Sequence, residues 1–337
     1  MIALGIETSC DETAVGLIER GTILGHSLVS SVAFHQRYGG VVPEIACRHH
    51  VELITYCVDD ALRQAGLRLR DVGLVAVTHG PGLAGALLVG LSAAKSLSLG
   101  LGVPLVGVNH LQAHLYAATL GQTQWPPKAV GLIISGGHTA LVRLEGLTRY
   151  ALMGQTRDDA VGEAFDKVAK LLGLGYPGGP VIERTATTGD AARMTFSTPK
   201  IKGGTPWDFS FSGVKTAVLR RVQQAQQAGE LDDRFRADLA ASFQQAVLEE
   251  IAAKAVSACR AAKARTLIVG GGVIANQALR GRLAAACRAA RVRLLVPPVA
   301  LSTDNAAMVA GLGYQLYTVC GVTAPLTLTA EPNLGMR

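Results

Sequence analysis

Short apolar runs alternate with longer amphipathic stretches along this chain, and the alternation predicts strands set between helices. Residues 2–6 read as a strand, 8–13 as a polar turn and 14–18 as a second strand. The same plan recurs across 129–144, where two apolar runs flank the turn Ser135-Gly136-Gly137-His138-Thr139. Two hairpins so far apart suggest an internal duplication, each hairpin opening a domain. Between them, 44–65 has helical spacing and 74–77 reads as a strand running into the turn His79-Gly80-Pro81-Gly82. A buried helix over 83–99 and a strand over 105–108 follow. The second half repeats the plan. It has a long helix over 236–264, a strand over 266–269, a glycine turn from Gly270 to Asn276, a helix through Arg288 and a strand over 293–296. The Gly-, Pro- and Ser-bearing stretch 195–212 reads as a loop excursion. Strands alternating with helices predict an α/β architecture.

A chain of 337 residues is long for one core and predicts two domains. The expected division is 1–128 and 129–304. The second domain carries an insertion over 150–240, and a C-terminal helix at 305–325 completes the first. The apolar run 83–108 is long enough to be weighed as a membrane span, but Lys95, Gly100, Gly102 and Pro104 break it. A buried helix feeding a buried strand accounts for it better. The apolar N-terminus stops at Glu7, too soon for a signal segment. Six cysteines contain no CxxC pair, which fits reduced thiols in a cytosolic protein. A formal charge of +7 suits a phosphate-rich partner, and the segment Lys263–Arg293, with Arg265, Arg280, Arg282, Arg288 and Arg291, is its densest part. That segment reads either as cover for nucleic-acid phosphates or as a solvated helix face.

Candidate chemistry begins at Asn109-His110-Leu111-Gln112-Ala113-His114. Histidines four apart share one helical face and can hold one metal ion. Imidazoles suit Fe, Zn, Ni or Cu. A zinc protease of this spacing places Glu directly after the first His as its base; here that position is Leu111. Three turns have phosphate-binding chemistry: 8–13 with its hydroxyls, 135–139 with its bare amides, and Gly270-Gly271-Gly272 before a helix. None ends in Gly-Lys-Ser/Thr, so none is a Walker loop.

The paired turns resemble those of the actin, hexokinase and heat-shock ATPase superfamily. The motifs Gly5-Ile6-Glu7-Thr8-Ser9-Cys10-Asp11-Glu12-Thr13, Gly39-Gly40-Val41-Val42-Pro43-Glu44, Asn109 to His114 and Ser135 to Thr139 come in order. So do 159–167, Tyr176-Pro177-Gly178-Gly179-Pro180, 208–213 and Ser302-Thr303-Asp304-Asn305. Together they resemble the bacterial TsaD family of tRNA adenosine threonylcarbamoyltransferases over nearly the whole chain. The resemblance implies two duplicated ribonuclease-H-like, actin-like ATPase domains with a nucleotide cleft between them. It implies one divalent metal ion, Fe2+ first and Zn2+ second, on His110, His114 and Asp304. By its own sequence context Asp304 reads as a helix cap. Archaeal relatives add a tyrosine ligand where this chain has Ile133. Carried over for the nucleotide are Ile133, Ile134, Ser135, Gly136 and Gly137 at the phosphate, with Asp166, Gly179, Glu183 and Asn276 around the nucleoside. Asp11 or Glu12 is the candidate proton acceptor. The implied substrates are threonylcarbamoyl-AMP and tRNA. The implied partners are a TsaB-like paralogue in a heterodimer and a TsaE-like ATPase, with no membrane and a cytoplasmic location. A sugar or acyl kinase, a metalloprotease and a non-enzymatic scaffold are the competing classes.

Overall fold

Strand β1 (Ile2–Glu7) pairs antiparallel with β2 (Glu12–Glu19), Ile2 opposite Glu19 and Glu7 opposite Ala14, in a computed structural model that describes residues 1–35, 38–122, 125–198, 201 and 203–336. The second strand starts at Glu12, inside the stretch expected as turn. A third strand, β3 (Thr22–Ser30), extends the hairpin; its mixed burial gives no clean two-residue period, so the pattern does not announce it. On the other side of β1, β4 (Val72–Gly80) and β5 (Leu105–Asn109) run parallel, in the order β3-β2-β1-β4-β5.

This sheet belongs to a unit made of Met1–Trp125, Gly146–Arg149 and the chain from Val296 onward. Its central strands are buried on both faces and therefore read as continuous apolar runs. One face packs on α2 (Pro43–Ala65) and α3 (Ala84–Leu101) through Ile54, Cys57, Ala61, Leu91 and Ala94. The short α1 (Val32–His35) precedes them. The other face packs on α4 (His110–Ala117) and on the last helix, α10 (Ala306–Cys320). Strand and last helix touch at backbone distance. A Cβ at Gly5 would lie 2.4 Å from the Ala310 amide nitrogen, and one at Gly16 would lie 2.9 Å from the Ala306 carbonyl carbon. Among the described residues α3 alone has the length and apolar composition of a membrane span; Leu91 and Ala94 commit it to this core.

The second unit holds Pro126–Glu145 and Tyr150–Leu295. Strands β6 (Ala129–Ile134), β7 (Thr139–Leu144) and β8 (Tyr150–Gln155) form an antiparallel set, and β9 (Thr266–Gly270) and β10 (Arg293–Leu295) add in parallel. The order β8-β7-β6-β9-β10 repeats that of the first unit strand for strand. Its helices are α5 (Val161–Leu171), α6 (Gly178–Ala186), α7 (Ser212–Ala228), α8 (Asp233–Ala261) and α9 (Gln277–Ala290). The long helix expected at 236 starts at Asp233, because the Asp232 side chain accepts from the Phe235 amide at 2.7 Å and caps it there. The glycines at 178–179 form the first turn of α6.

Residues 199, 200 and 202 of the expected loop lie outside the described residues. The remainder is anchored by the buried Asp208, which accepts from the Gln155 and Thr205 amides at 2.9 and 2.8 Å and from Arg157 at 2.7 Å. Asp159 precedes α5 and binds Lys167 and Lys215 at 2.6 and 2.7 Å.

Candidate functional site

Helix α4 begins where it does because Asn109 caps it: its side-chain oxygen accepts from the Leu111 and Gln112 amides at 2.9 and 3.2 Å. His110 and His114 then sit one turn apart, ring centroids 4.5 Å apart and edge to face. Asp304 arrives from the far end of the sequence. Its Oδ1 lies 3.6 Å from His110 Nε2 and 3.0 Å from His114 Nε2. One ligand atom from each of the three residues lies within 4.8 Å of the others. The expected capping role belongs to the neighbour instead. Asn305 accepts from the Met308 amide at 3.0 Å, which leaves the Asp304 carboxylate to face the histidines.

The triad fits a cation on an observation of its own. His114 is 1% exposed, yet neither ring nitrogen makes a hydrogen bond among the described residues. Its Nε2 stands close to the Asp304 oxygen without hydrogen-bond direction. Buried polar atoms are almost always hydrogen-bonded, so such a nitrogen calls for a partner both groups can share. A divalent ion held by two imidazoles and a carboxylate supplies it.

Behind His110 stands a residue the sequence reading did not single out. Glu7 is fully buried, and its Oε2 lies 3.1 Å from His110 Nδ1. Thr78 donates to the same oxygen at 2.6 Å, and the Ser9 amide donates to Oε1 at 2.6 Å. Burial alone would raise the Glu7 carboxyl, but the charge and hydrogen bond of His110 outweigh it and hold it low. Burial likewise opposes charge on His110. The carboxylates of Asp304 and Glu7 overcome that and push it up to about 9. With Nδ1 turned to Glu7, loss of the second ring proton would free the Nε2 lone pair on the side of Asp304. The signal was present in the sequence: Glu7 is the lone acid in the apolar strand 2–7.

The hydroxyls of the first turn do not remain available for a phosphate, as the sequence had suggested. Thr8 donates to the Ala86 carbonyl at 2.8 Å, Ser9 Oγ lies 3.1 Å from His110 Nδ1, and Thr13 Oγ1 lies 2.8 Å from His50 Nδ1. Of the two acids there, Asp11 is buried and Glu12 is half-buried. Burial, then the charges of Asp304 and Asp11, push Glu12 up to about 10. It therefore carries its proton at neutral pH.

The second hairpin turn is built the other way. Ser135 donates its amide to the His138 carbonyl at 2.8 Å and accepts the His138 amide on its hydroxyl at 3.1 Å. Gly136 and Gly137 are exposed, and a Cβ at either would meet nothing within 4 Å. No packing demand of the fold requires glycine there; the open space suits a ligand's approach to the backbone. Ile133 and Ile134 are fully buried, so only their backbone can serve a ligand. Gly271, at φ +102, lets β9 end against Ile134, whose carbonyl oxygen would lie 2.4 Å from a Cβ.

Around these strand ends Asp166 accepts the Gly178 amide at 2.6 Å, and burial raises its carboxyl. Gly179 is open, with nothing within 4 Å of a Cβ. Glu183 accepts the Gln277 amide at 2.6 Å and ties α6 to α9. Asn276 is occupied on both sides, accepting from the Leu279 amide at 2.8 Å and donating to Gln244 at 2.9 Å. Its side chain works as a helix cap.

Two sheets of one strand order place the chain in the class of duplicated α/β proteins. A solved HypF has a TM-score of 0.61 at 13% identity, over 95% of this chain and 47% of that one. The activator of the 2-hydroxyisocaproyl-CoA dehydratase from Clostridium difficile gives 0.52 at 14% identity, over 96% and 99%. The family model described as TsaD, tRNA N6-adenosine threonylcarbamoyltransferase, matches residues 22–311, and the chain belongs to that family. A tRNA N6-adenosine threonylcarbamoyltransferase of Symbiobacterium thermophilum is 51% identical over 99% of this chain and 97% of its own length. One from a Synechococcus strain is 49% identical over 99% and 92%.

Proposed function

We propose that this chain transfers a threonylcarbamoyl group from threonylcarbamoyl-AMP to the exocyclic amine of the adenosine 3′-adjacent to the anticodon, in tRNAs reading codons that begin with adenine. The observation that carries the reading is the His110, His114 and Asp304 triad, backed by Glu7, in a chain half identical to named transferases over its full length. The amine nitrogen bonds to the carbamoyl carbon, the bond from that carbon to the phosphate oxygen breaks, and AMP leaves with the electron pair. The amine is weakly nucleophilic, so positioning and charge stabilisation supply the rate.

His110, His114 and Asp304 hold one divalent ion, iron before zinc, with Glu7 orienting His110. When bound, that ion is a Lewis acid for a carbamoyl or phosphoryl oxygen. The Gly136 and Gly137 amides bind the phosphate, with the backbone of Ile133 to Ser135 beneath them. Gly179 leaves room for the nucleoside. Asp166 meets the ribose with the oxygen that Gly178 does not use, and Glu183 and the Asn276 backbone border it. Glu12 enters with its proton on, which leaves Asp11 to accept the amine proton. A TsaB-like paralogue and a TsaE-like ATPase are the proposed partners, and the cytoplasm, where tRNA is found, the proposed location.

The test supplies the chain, with both partners, with threonylcarbamoyl-AMP and unmodified tRNA, and reads the nucleosides by mass spectrometry. Modified adenosine that disappears in the His110→Ala, His114→Ala variant is expected. Absence of product beside ATP-dependent phosphorylation of a small molecule would replace this reading with the kinase.

A further inference from the structure

The net positive charge of this chain comes from one segment. Residues 251–303 contain nine Lys and Arg and no Asp or Glu, so the rest of the chain sums to −2 against a whole-chain +7. Three of the nine have partners inside the fold. Lys254 binds Glu250 at 2.5 Å, Arg282 binds Glu249 at 2.7 Å, and Arg280 donates to the Ile274 carbonyl at 2.7 Å.

The other six converge on one end of the second sheet. Arg260 closes α8, and Lys263 and Arg265 follow before β9 starts. Arg288 closes α9, and Arg291 and Arg293 lead into β10. The Arg293 amide donates to the Arg265 carbonyl at 2.8 Å, which joins the two groups. All six side chains are exposed, and among the described residues no carboxylate pairs with any of them. Cations in a last helical turn offset the helix dipole, which accounts for Arg260 and Arg288. It does not account for Arg265 and Arg293, which lie at the strands, nor for Lys263 and Arg291, which hold positive φ where glycine is usual.

We infer that Arg260, Lys263, Arg265, Arg288, Arg291 and Arg293 form a docking surface for the phosphate backbone of a base-paired stem of the tRNA. The inference rests on the transferase reading and adds where the RNA lies. Five of the six are arginines, whose planar fork matches phosphate oxygens. Residues 251–303 hold no Phe, Tyr or Trp, so nothing there can stack on unpaired bases, as single-strand binders do. A-form stems are bound through shape and backbone, which needs only charge. β9 runs from this cluster to the glycine-turn end of the sheet, and its five residues span roughly 16 Å. The surface therefore holds a stem away from the nucleotide turn.

The test compares two double charge reversals of equal net charge, Arg265→Glu with Arg293→Glu, and Arg220→Glu with Arg221→Glu on α7 of the same unit. Binding of full-length tRNA and of the isolated anticodon loop is measured against salt, beside transfer kinetics with both partners present. Circular dichroism and melting establish that each variant folds, and Arg265→Gln with Arg293→Gln gives a milder pair. Expected for the first pair is roughly tenfold weaker binding of full-length tRNA and a salt slope shallower by about 0.9 per lost phosphate contact. KM for tRNA rises while turnover at saturating tRNA holds, and binding of the isolated loop changes little. The α7 pair should leave the slope in place. A folded first pair with unchanged affinity and slope overturns the inference. So does equal weakening by both pairs, equal loss for loop and full tRNA, or lost binding to anionic vesicles or an acidic protein in place of tRNA. Failure of the unaltered chain to modify tRNA, with salt-dependent binding through this cluster intact, would sink the transferase reading alone.

Discussion

Two hairpin turns sit at the same place in two copies of one sheet order, and they spend their polar groups in opposite ways. In the first unit, turn 8–13 directs every hydroxyl inward, to Ala86, His110 and His50, and Glu7 beside it braces His110. In the second, Ser135 to His138 closes on itself and leaves two glycines in open space. The frame fixes where a turn stands. Side chains decide whether it becomes internal scaffolding or a landing place for a ligand.

The contrast is sharpest at glycines. Gly5 is glycine because α10 lies against it, so Gly5→Ala should cost about 3 kcal/mol. That loss lowers the melting midpoint by roughly 6–12 °C; a midpoint within a degree of the unaltered chain would remove the packing argument. Glu7→Gln tests the bracing next. Loss of a carboxylate behind a ligating histidine weakens metal binding about 10–100-fold, and titration with a competing chelator reads it. An unchanged affinity would reduce Glu7 to a buried structural acid.

On the open turn, Gly136→Ala should leave melting unchanged while donor affinity drops roughly tenfold, since the new methyl meets only space that the ligand needs. Equal losses of stability and affinity would make this turn as structural as the first. Smaller again, Asn305→Ala removes the cap beside Asp304 and should cost about 1 kcal/mol in chemical denaturation.

A further effect is in pH. His110 is raised from 6.5 to about 9 in the folded chain, so its stabilisation is full below pH 6.5 and is lost as pH rises through about 9. Glu12, raised from 4.5 to about 10, adds a decline that begins near pH 4.5 and runs to about 10. Melting of the chelator-treated chain should therefore fall with pH, and His110→Asn should remove part of the fall above pH 6.5. Parallel profiles for the two proteins would contradict the Glu7 and Asp304 couplings.

Much of this was legible from residue order. The hairpins at 2–18 and 129–144, the α2 and α8 helices and the histidine pair each carry a period or spacing of their own. What escaped depends on partners distant in sequence. Glu7 looks like the end of a strand until Thr78 and His110 are brought to it. Asp304 reads as a helix cap because its neighbour Asn305 performs that task one residue later. Asn276 kept the sequence pattern of a ligand contact while its side chain went to capping α9. β3 was missed because mixed burial blurs its two-residue period.

The first unit is assembled from both ends of the chain, and this has a consequence during synthesis. β1 to β5 leave the ribosome early, but Asp304 and α10, which cover Gly5 and Gly16, follow roughly 190 residues after His110, a delay on the order of 10–40 s. The second unit lies wholly within that interval and can fold first, while the nascent first sheet waits with an open face. The triad of His110, His114 and Asp304 is then among the last features to form, so a chain cut short before Asp304 emerges as an incomplete body rather than as a poorer enzyme.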